Sequence, residues 1–149
     1  MSRTTNKLAL GARLLLGTIM FVFGLNGFLQ FLPMPPLPDA AGAFMGALAA
    51  SGYFFPLVKA VEVVTGLALL TGTFVPLALV VLAPISVNIF AFHLMLAPAG
   101  MAVPVLVVVL HLYLGWAYRN AFRGVLAAKA RPASSGAASG GASSVASAV

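Results

Sequence analysis

The sequence contains no cysteine and only two acidic residues among its 149 positions. The lack of cysteine excludes disulfide bonds, thiol nucleophiles, thiolate metal ligands and iron–sulfur clusters. Charged residues are scarce at 7%, whereas hydrophobic residues make up 62% and the mean hydropathy is +1.10. A water-soluble domain of this size does not reach such values, so the composition predicts an integral membrane protein.

Motifs of self-sufficient catalysis are also missing. The sequence has no Ser/His/Asp constellation, no glycine-rich phosphate-binding loop and no HExxH zinc motif. We therefore assign no catalytic residue and no metal site, and we interpret the chain as a protein that does not catalyse a reaction by itself.

Basic residues outnumber acidic ones and give a formal net charge of +6. A basic balance can indicate nucleic acid binding, but most of these cations flank apolar stretches, which is typical of cytoplasmic anchoring. Nucleic acid is therefore not predicted as a partner. The cations are Arg3, Lys7, Arg13, Lys59, Arg119, Arg123, Lys129 and Arg131.

Four apolar stretches are long enough to cross a bilayer as helices, which takes about 20 residues. They cover residues 8–32, 55–73, 75–97 and 101–122. The first is too long for the apolar region of a cleaved signal peptide, which is the competing interpretation of a basic start. The last ends with Tyr113, Trp116 and Tyr118, as expected of an aromatic belt at a membrane interface.

A proline-rich linker follows the first span and leads into a short helix over residues 40–51, with Asp39 as its N-cap and Gly52 as its terminator. A helix of about twelve residues does not cross a bilayer, so we expect it to lie in the interface. Gly42 and Gly46 form a GxxxG pattern within it, which is a weak signal in so alanine-rich a stretch.

Residues 1–123 are therefore predicted to form an all-α integral membrane domain, an antiparallel four-helix transmembrane bundle with a short interfacial helix between helices 1 and 2. Residues 124–149, rich in Ala, Ser and Gly, are predicted to be a disordered tail. Four spans return the chain to its starting side and both flanks carry cations, so both termini are predicted to be cytoplasmic.

Lys59 and Glu62 lie one helical turn apart inside the second span. A charge near a helix centre costs about 2.5 to 3.5 kcal/mol on insertion, whereas each Val, Leu, Ile or Phe offsets about 0.3 to 0.6 kcal/mol. The apolar residues of this span offset roughly 3 to 5 of the roughly 5 to 7 kcal/mol that two isolated charges cost. The two charges must therefore pair, lie near an interface or face other polar groups.

Depth counted from the outer end of each span places polar side chains from three helices at a similar level. Asn26, Lys59, Glu62 and Asn88 are therefore predicted to form a ligand-binding polar pocket, with the Lys59–Glu62 pair at its centre. In the alternative interpretation, the pair is a structural ion pair and the asparagines join helices. Because Lys59 can extend to the interface, Glu62 is the more telling residue.

The two histidines, His93 and His111, differ in depth by about five or six residues, which does not suit a bis-histidine haem. His111 is expected to form a helix–helix hydrogen bond or to take part in a proton relay. His93 lies nearer an interface, as a satisfied polar residue or a second member of that relay. Four glycines of the first two spans are expected to allow close helix approach. They are Gly17, Gly24, Gly27 and Gly66.

Short groups of residues in three spans carry a resemblance to a known family. The first span has Arg13, Leu16, Gly17 and Gly24; the second has Lys59, Glu62, Gly66, Leu69 and Leu70; the third has Pro76, Leu79, Asn88 and His93. With these residues, the stretch 8–123 resembles the DoxX/DoxD-like family of small four-span bacterial membrane proteins. The resemblance implies a four-helix bundle in the bacterial inner membrane.

Members of this family look like membrane subunits of quinone-linked sulfur oxidation or accompany oxidative-stress proteins. The resemblance implies a ligand-binding or accessory subunit in the lipid bilayer, with a quinone or lipid-like ligand, a redox partner protein and the option of oligomer formation. Family members often carry a Lys near the end of the first helix, where this chain has the less cationic stretch 26–30.

Two alternatives belong to other functional classes. One is a catalytic subunit of a quinone-linked oxidoreductase, for which a partner would supply the electrons. The other is a small proton or solute transporter that uses Glu62 and His111.

Overall fold

The computed structural model describes residues 3–33 and 35–123, with side chains from residue 6 onward. The tail predicted for residues 124–149 lies outside the described residues. Within the described part, the chain forms five α-helices and two 3-10 turns and contains no β-strand. The helices are α1 (Arg3–Leu29), α2 (Asp39–Ala50), α3 (Phe54–Thr71), α4 (Val75–Leu96) and α5 (Ala102–Ala117), and the 3-10 turns are Pro98–Gly100 and Arg119–Phe122. The predicted all-α class is confirmed.

Three of the described helices are long and apolar enough to cross a membrane, over Asn6–Leu29, Phe54–Thr71 and Val75–Leu96. The fourth predicted span is shorter than expected, because α5 ends at Ala117 and the chain continues as the 3-10 turn Arg119–Phe122. Its 16 residues extend about 24 Å, against a hydrocarbon core of about 30 Å.

The end of α1 and the start of α2 differ in detail from the prediction. α1 ends at Leu29, where Asn26 Oδ1 accepts a hydrogen bond from the Leu32 N–H at 2.7 Å and so replaces the missing helical acceptor. The predicted N-cap role of Asp39 is wrong, because Pro38 holds that position and Asp39 is the first helical residue. The Asp39 carboxylate still lies in the first turn, at the positive end of the helix dipole.

The four longer helices contact one another in a closed order, α1 with α3, α3 with α4, α4 with α5 and α5 with α1. α1 and α3 are antiparallel, because Gly17 faces Gly66 whereas Gly24, further along α1, faces Glu62, which comes earlier in α3. α2 lies against α3 and α4. The interior between the helices is filled by buried apolar side chains, among them Leu16, Met20, Leu69, Leu82, Val107 and Leu114.

Large apolar side chains also cover the outside of the helices. Val64, Val87 and Leu112 are each about two-thirds exposed although they lie mid-helix. A surface of this kind suits lipid rather than water, since hydrocarbon places no penalty on exposed aliphatic groups. The chain is therefore a multi-pass membrane protein.

Candidate functional site

α1 and α3 lie close together, and glycines on both helices make this contact possible. A Cβ atom added at Gly66 would lie 2.6 Å from the backbone nitrogen of Phe21, and one added at Gly24 would lie 2.9 Å from that of Val63. Backbone atoms give way less easily than side-chain ends, so these two positions require glycine. The expected role of these glycines is confirmed.

Lys59 and Glu62 form an ion pair at this contact. Lys59 Nζ lies 2.8 Å from Glu62 Oε2 and 3.1 Å from Oε1, so the ammonium is bonded to both carboxylate oxygens. The two side chains differ in burial: that of Glu62 is 3% exposed, and that of Lys59 is 19% exposed. Gly24 of α1 lies against the Cβ of Glu62, so the backbone of α1 covers the base of this side chain.

The Lys59 side chain lies along α1 before it reaches Glu62. A Cβ atom at Gly27 would come 2.5 Å from both Cγ and Cδ of Lys59, so the aliphatic stem occupies the space that the glycine leaves. Nζ also lies 5.6 Å from the centroid of the Phe55 ring, within the range of a cation–π contact. The direction of the ammonium is therefore set by the stem, the ring and the carboxylate together.

The ammonium has one donor to spare. An ammonium carries three N–H groups, and at most two of them serve the Glu62 oxygens. Among the described residues, no other acceptor lies within hydrogen-bond distance of Nζ. The pair therefore presents a partly exposed donor, held in place by a buried carboxylate, to whatever lies beside the α1–α3 contact.

Thr65 is a buried polar residue of this region that the sequence interpretation did not single out. Its Oγ1 donates to the Val61 carbonyl at 2.6 Å and lies 3.3 Å from the Glu62 carbonyl. This bond back to the preceding turn keeps the hydroxyl satisfied within α3. Its position three residues after Glu62, on the same helix face, was the available signal.

Asn26 lies next to Gly27, at the end of α1 that carries the Lys59 stem, and is 8% exposed. Its Oδ1 accepts from the Leu32 backbone, which gives it a structural role at the helix end. Its amide nitrogen donates to no other described residue. Asn26 is therefore brought to the level of the ion pair, although no hydrogen bond joins them.

Asn88 is not brought into this buried group, because its side chain is exposed on α4. The neighbouring Ser86 is 3% exposed and faces the interior. Two residues of helix turn a side chain by about 200°, so Asn88 points away from the face that Ser86 occupies. The prediction for Asn88 used only its depth in the span. The rotation of α4 about its own axis directs the side chain away from the interior of the bundle.

The histidines have partners of their own. His111 Nδ1 lies 2.9 Å from Ser86 Oγ and so links α5 to α4, as one interpretation expected. His93 Nδ1 donates to the Ile89 carbonyl at 2.8 Å within α4. Ser86 lies seven residues from His93, which is about 10 Å along the helix, so the histidines meet α4 at different levels. Within the described part of the chain, no hydrogen bond connects either one to the Lys59–Glu62 pair.

Comparison with known proteins does not assign the chain to a family. No protein-family model, curated protein or solved structure matches the chain. The α1–α3 contact and its ion pair are therefore the features from which we infer function.

Proposed function

We propose that this protein is a four-span, DoxX-like protein of the bacterial inner membrane that binds a quinone or lipid-like ligand beside Lys59, as a ligand-binding or accessory subunit of a membrane redox system. One observation carries the proposal: a buried Glu62 holds the partly exposed ammonium of Lys59 by both carboxylate oxygens and leaves an N–H group free.

The chemistry of the pair suits a carbonyl oxygen on an apolar molecule. In hydrocarbon, a free ammonium donor has no water to bond, so a ligand carbonyl that accepts from it gains a charge-assisted hydrogen bond. The ring of Phe55 beside Nζ offers a flat apolar surface for a quinone head group. Glu62 is too buried to touch such a ligand, so it acts as a positioning residue that keeps the ammonium in place.

The four-span arrangement is supported by the end of α5. Arg119 lies 4.8 Å from the Trp116 ring and donates to the Trp116 carbonyl at 3.0 Å, a pairing that suits a membrane interface. The start of α1 and the turn after α5 line one cavity and so lie at the same end of the molecule. Cations from both segments gather at that end, which favours a cytoplasmic location for both termini.

The alternatives draw less support from the geometry. A proton path through Glu62 and His111 would need a connection between them, whereas each is hydrogen-bonded to a different partner. A catalytic role in quinone reduction would use the same binding position and would add an electron-donating partner protein. Ligand binding is therefore the common requirement and the first property to test.

Quinone content after purification tests the proposal. We expect protein extracted in mild detergent to carry quinone, and a Lys59→Met/Glu62→Leu variant, which removes the donor without leaving a buried charge, to lose it. Asn88→Leu is the matched control, because it removes an exposed polar group of α4 and should leave the quinone content unchanged. Mass spectrometry of the organic extract gives the content per mole of protein. Equal quinone in wild type and double variant, or none in wild type even after a short-chain quinone is added, would overturn the proposal.

A further inference from the structure

A second polar region lies at the opposite end of the molecule from Lys59. A cavity of about 430 Å³ opens between the N-terminal part of α1 and the turn that follows α5. Its polar lining comes from Asn6, Arg13, Tyr118 and Asn120, and the rest of the lining is three alanines and a leucine. The volume falls within the range of about 300 to 1,000 Å³ that is usual for small-molecule sites.

The cavity lies at the level where the apolar helices end. The guanidinium of Arg13 lies against Gly72, the left-handed C-cap residue of α3. The opposite wall includes Tyr118, the C-cap of α5. α1 begins ten residues before Arg13 and so extends about 15 Å beyond this level. The cavity is therefore at the height of lipid head groups, with the projecting start of α1 as one wall.

The described charged side chains at this end are all positive. Among described side chains, Lys7, Arg13, Arg119 and Arg123 lie in the segments that meet here. The whole chain has only two acidic residues, and neither is at this end: Asp39 begins α2, and Glu62 is paired with Lys59. Among the described residues, no carboxylate side chain therefore neutralises these cations, and an anion from outside is attracted.

Arg13 also lacks a partner for one of its donors. Its Nε is buried and forms no hydrogen bond with any residue of the described part of the chain. A buried N–H without an acceptor is costly, whereas a guanidinium can bond two phosphate oxygens at once through its forked donors. The C-terminal end of the α3 dipole stabilises the positive charge of Arg13. It provides no hydrogen-bond acceptor for Nε.

We propose that this cavity binds a phosphate group, with Arg13 as its principal ligand and with Tyr118 and Asn120 as further hydrogen-bonding groups. The phosphate is carried either by the head group of an anionic lipid or by a free phosphate ion, since both offer the same oxygens to the guanidinium. The site is separate from the ion pair at Lys59, so the two proposals stand or fall independently.

Thermal unfolding of the purified protein in detergent, followed by circular dichroism, tests this site. We expect dioleoylphosphatidylglycerol to raise the unfolding temperature saturably, and dioleoylphosphatidylcholine, whose choline neutralises the phosphate, to raise it less. Arg13→Gln should weaken the apparent affinity for phosphatidylglycerol about tenfold or more, as expected for lost charge-assisted hydrogen bonds. A saturable shift with sodium phosphate, absent with sodium chloride at equal ionic strength, would identify the free ion as the source.

Matched variants separate a site from general attraction. Arg119→Gln removes the same charge from the same end but does not line the cavity, so it should weaken binding by no more than about fivefold. Arg13→Lys and Asn120→Leu give partial losses and serve as the deciding variants if Arg13→Gln does not fold. The proposal is overturned if no anion shifts the unfolding temperature, or if Arg119→Gln and the cavity variants lose affinity equally.

Discussion

Lys59 and Glu62 are partners in one ion pair, yet we expect their removal to affect stability unequally. Lys59→Met keeps most of the apolar stem over Gly27 but removes the only described hydrogen-bond donor to the Glu62 carboxylate. Glu62→Gln keeps the shape of the carboxyl group and removes its charge. The difference follows from burial, because the Glu62 side chain is 3% exposed and that of Lys59 is 19% exposed.

The magnitudes follow from what each substitution leaves behind. Lys59→Met leaves an unpaired buried carboxylate, so we expect a loss of about 3 to 5 kcal/mol in the free energy of unfolding. After Glu62→Gln, the long Lys59 side chain can turn its ammonium towards the interface and keep one hydrogen bond to the amide. That loss should be about 1 to 2 kcal/mol. Lys59→Met/Glu62→Leu removes both charges and should lie within about 1 kcal/mol of wild type.

Reversible unfolding in mixed micelles, with the fraction of SDS as denaturant and circular dichroism as the signal, gives the free energy for each protein. Gly11→Ala is a suitable control, because a Cβ at Gly11 of α1 meets no atom within 4 Å. Unequal burial does not govern the two losses if Glu62→Gln costs as much as Lys59→Met. The ion pair does not couple the two residues if the double variant loses the sum of the single losses, because the two charges would then act independently.

The remaining predictions concern the helix contacts and use the same unfolding assay. Gly66→Ala should cost about 1 to 3 kcal/mol, because its Cβ would meet the backbone of α1, whereas Gly115→Ala, which meets nothing within 4 Å, should cost nothing. Ser86→Ala should cost about 0.6 to 1.7 kcal/mol because it removes the hydrogen bond to His111. His111→Phe should cost less in the Ser86→Ala variant than it does in the wild-type protein. Asn26→Leu should cost about 1 kcal/mol by removing the acceptor at the end of α1, and it should raise amide hydrogen exchange just after that helix.

The helices and their order could be predicted from the sequence because their signals are local. Apolar length, proline and glycine positions fix where each helix can run, and the observed ends lie within a few residues of the predictions except at two places. α1 starts at Arg3 rather than residue 8, since each residue added to an existing helix gains a backbone hydrogen bond, so polar residues can continue the helix. α5 stops at Ala117, where Arg119 turns back to bond the Trp116 carbonyl.

The candidate site was predictable only where its residues share one helix. Lys59 and Glu62 are three positions apart, and that spacing alone brings their side chains together. Ser86 and Asn88 depend instead on how α4 is rotated about its axis, which is set by packing against α3 and α5. Depth along a span carries no information on the direction of a side chain, so it does not distinguish the exposed Asn88 from the buried Ser86.

The glycines of α1 and the ion pair of α3 together allow α3 to insert into a membrane. α3 alone carries more charge than its apolar residues offset, so Glu62 needs both Lys59 and shelter from lipid. Gly24 lies against the Cβ of Glu62 and Gly27 lies against the Lys59 stem, so the backbone of α1 supplies that shelter at distances no larger residue permits. The same contact leaves the ammonium of Lys59 partly exposed. The helix packing that allows α3 to insert into lipid therefore also provides the hydrogen-bond donor that we assign to ligand binding.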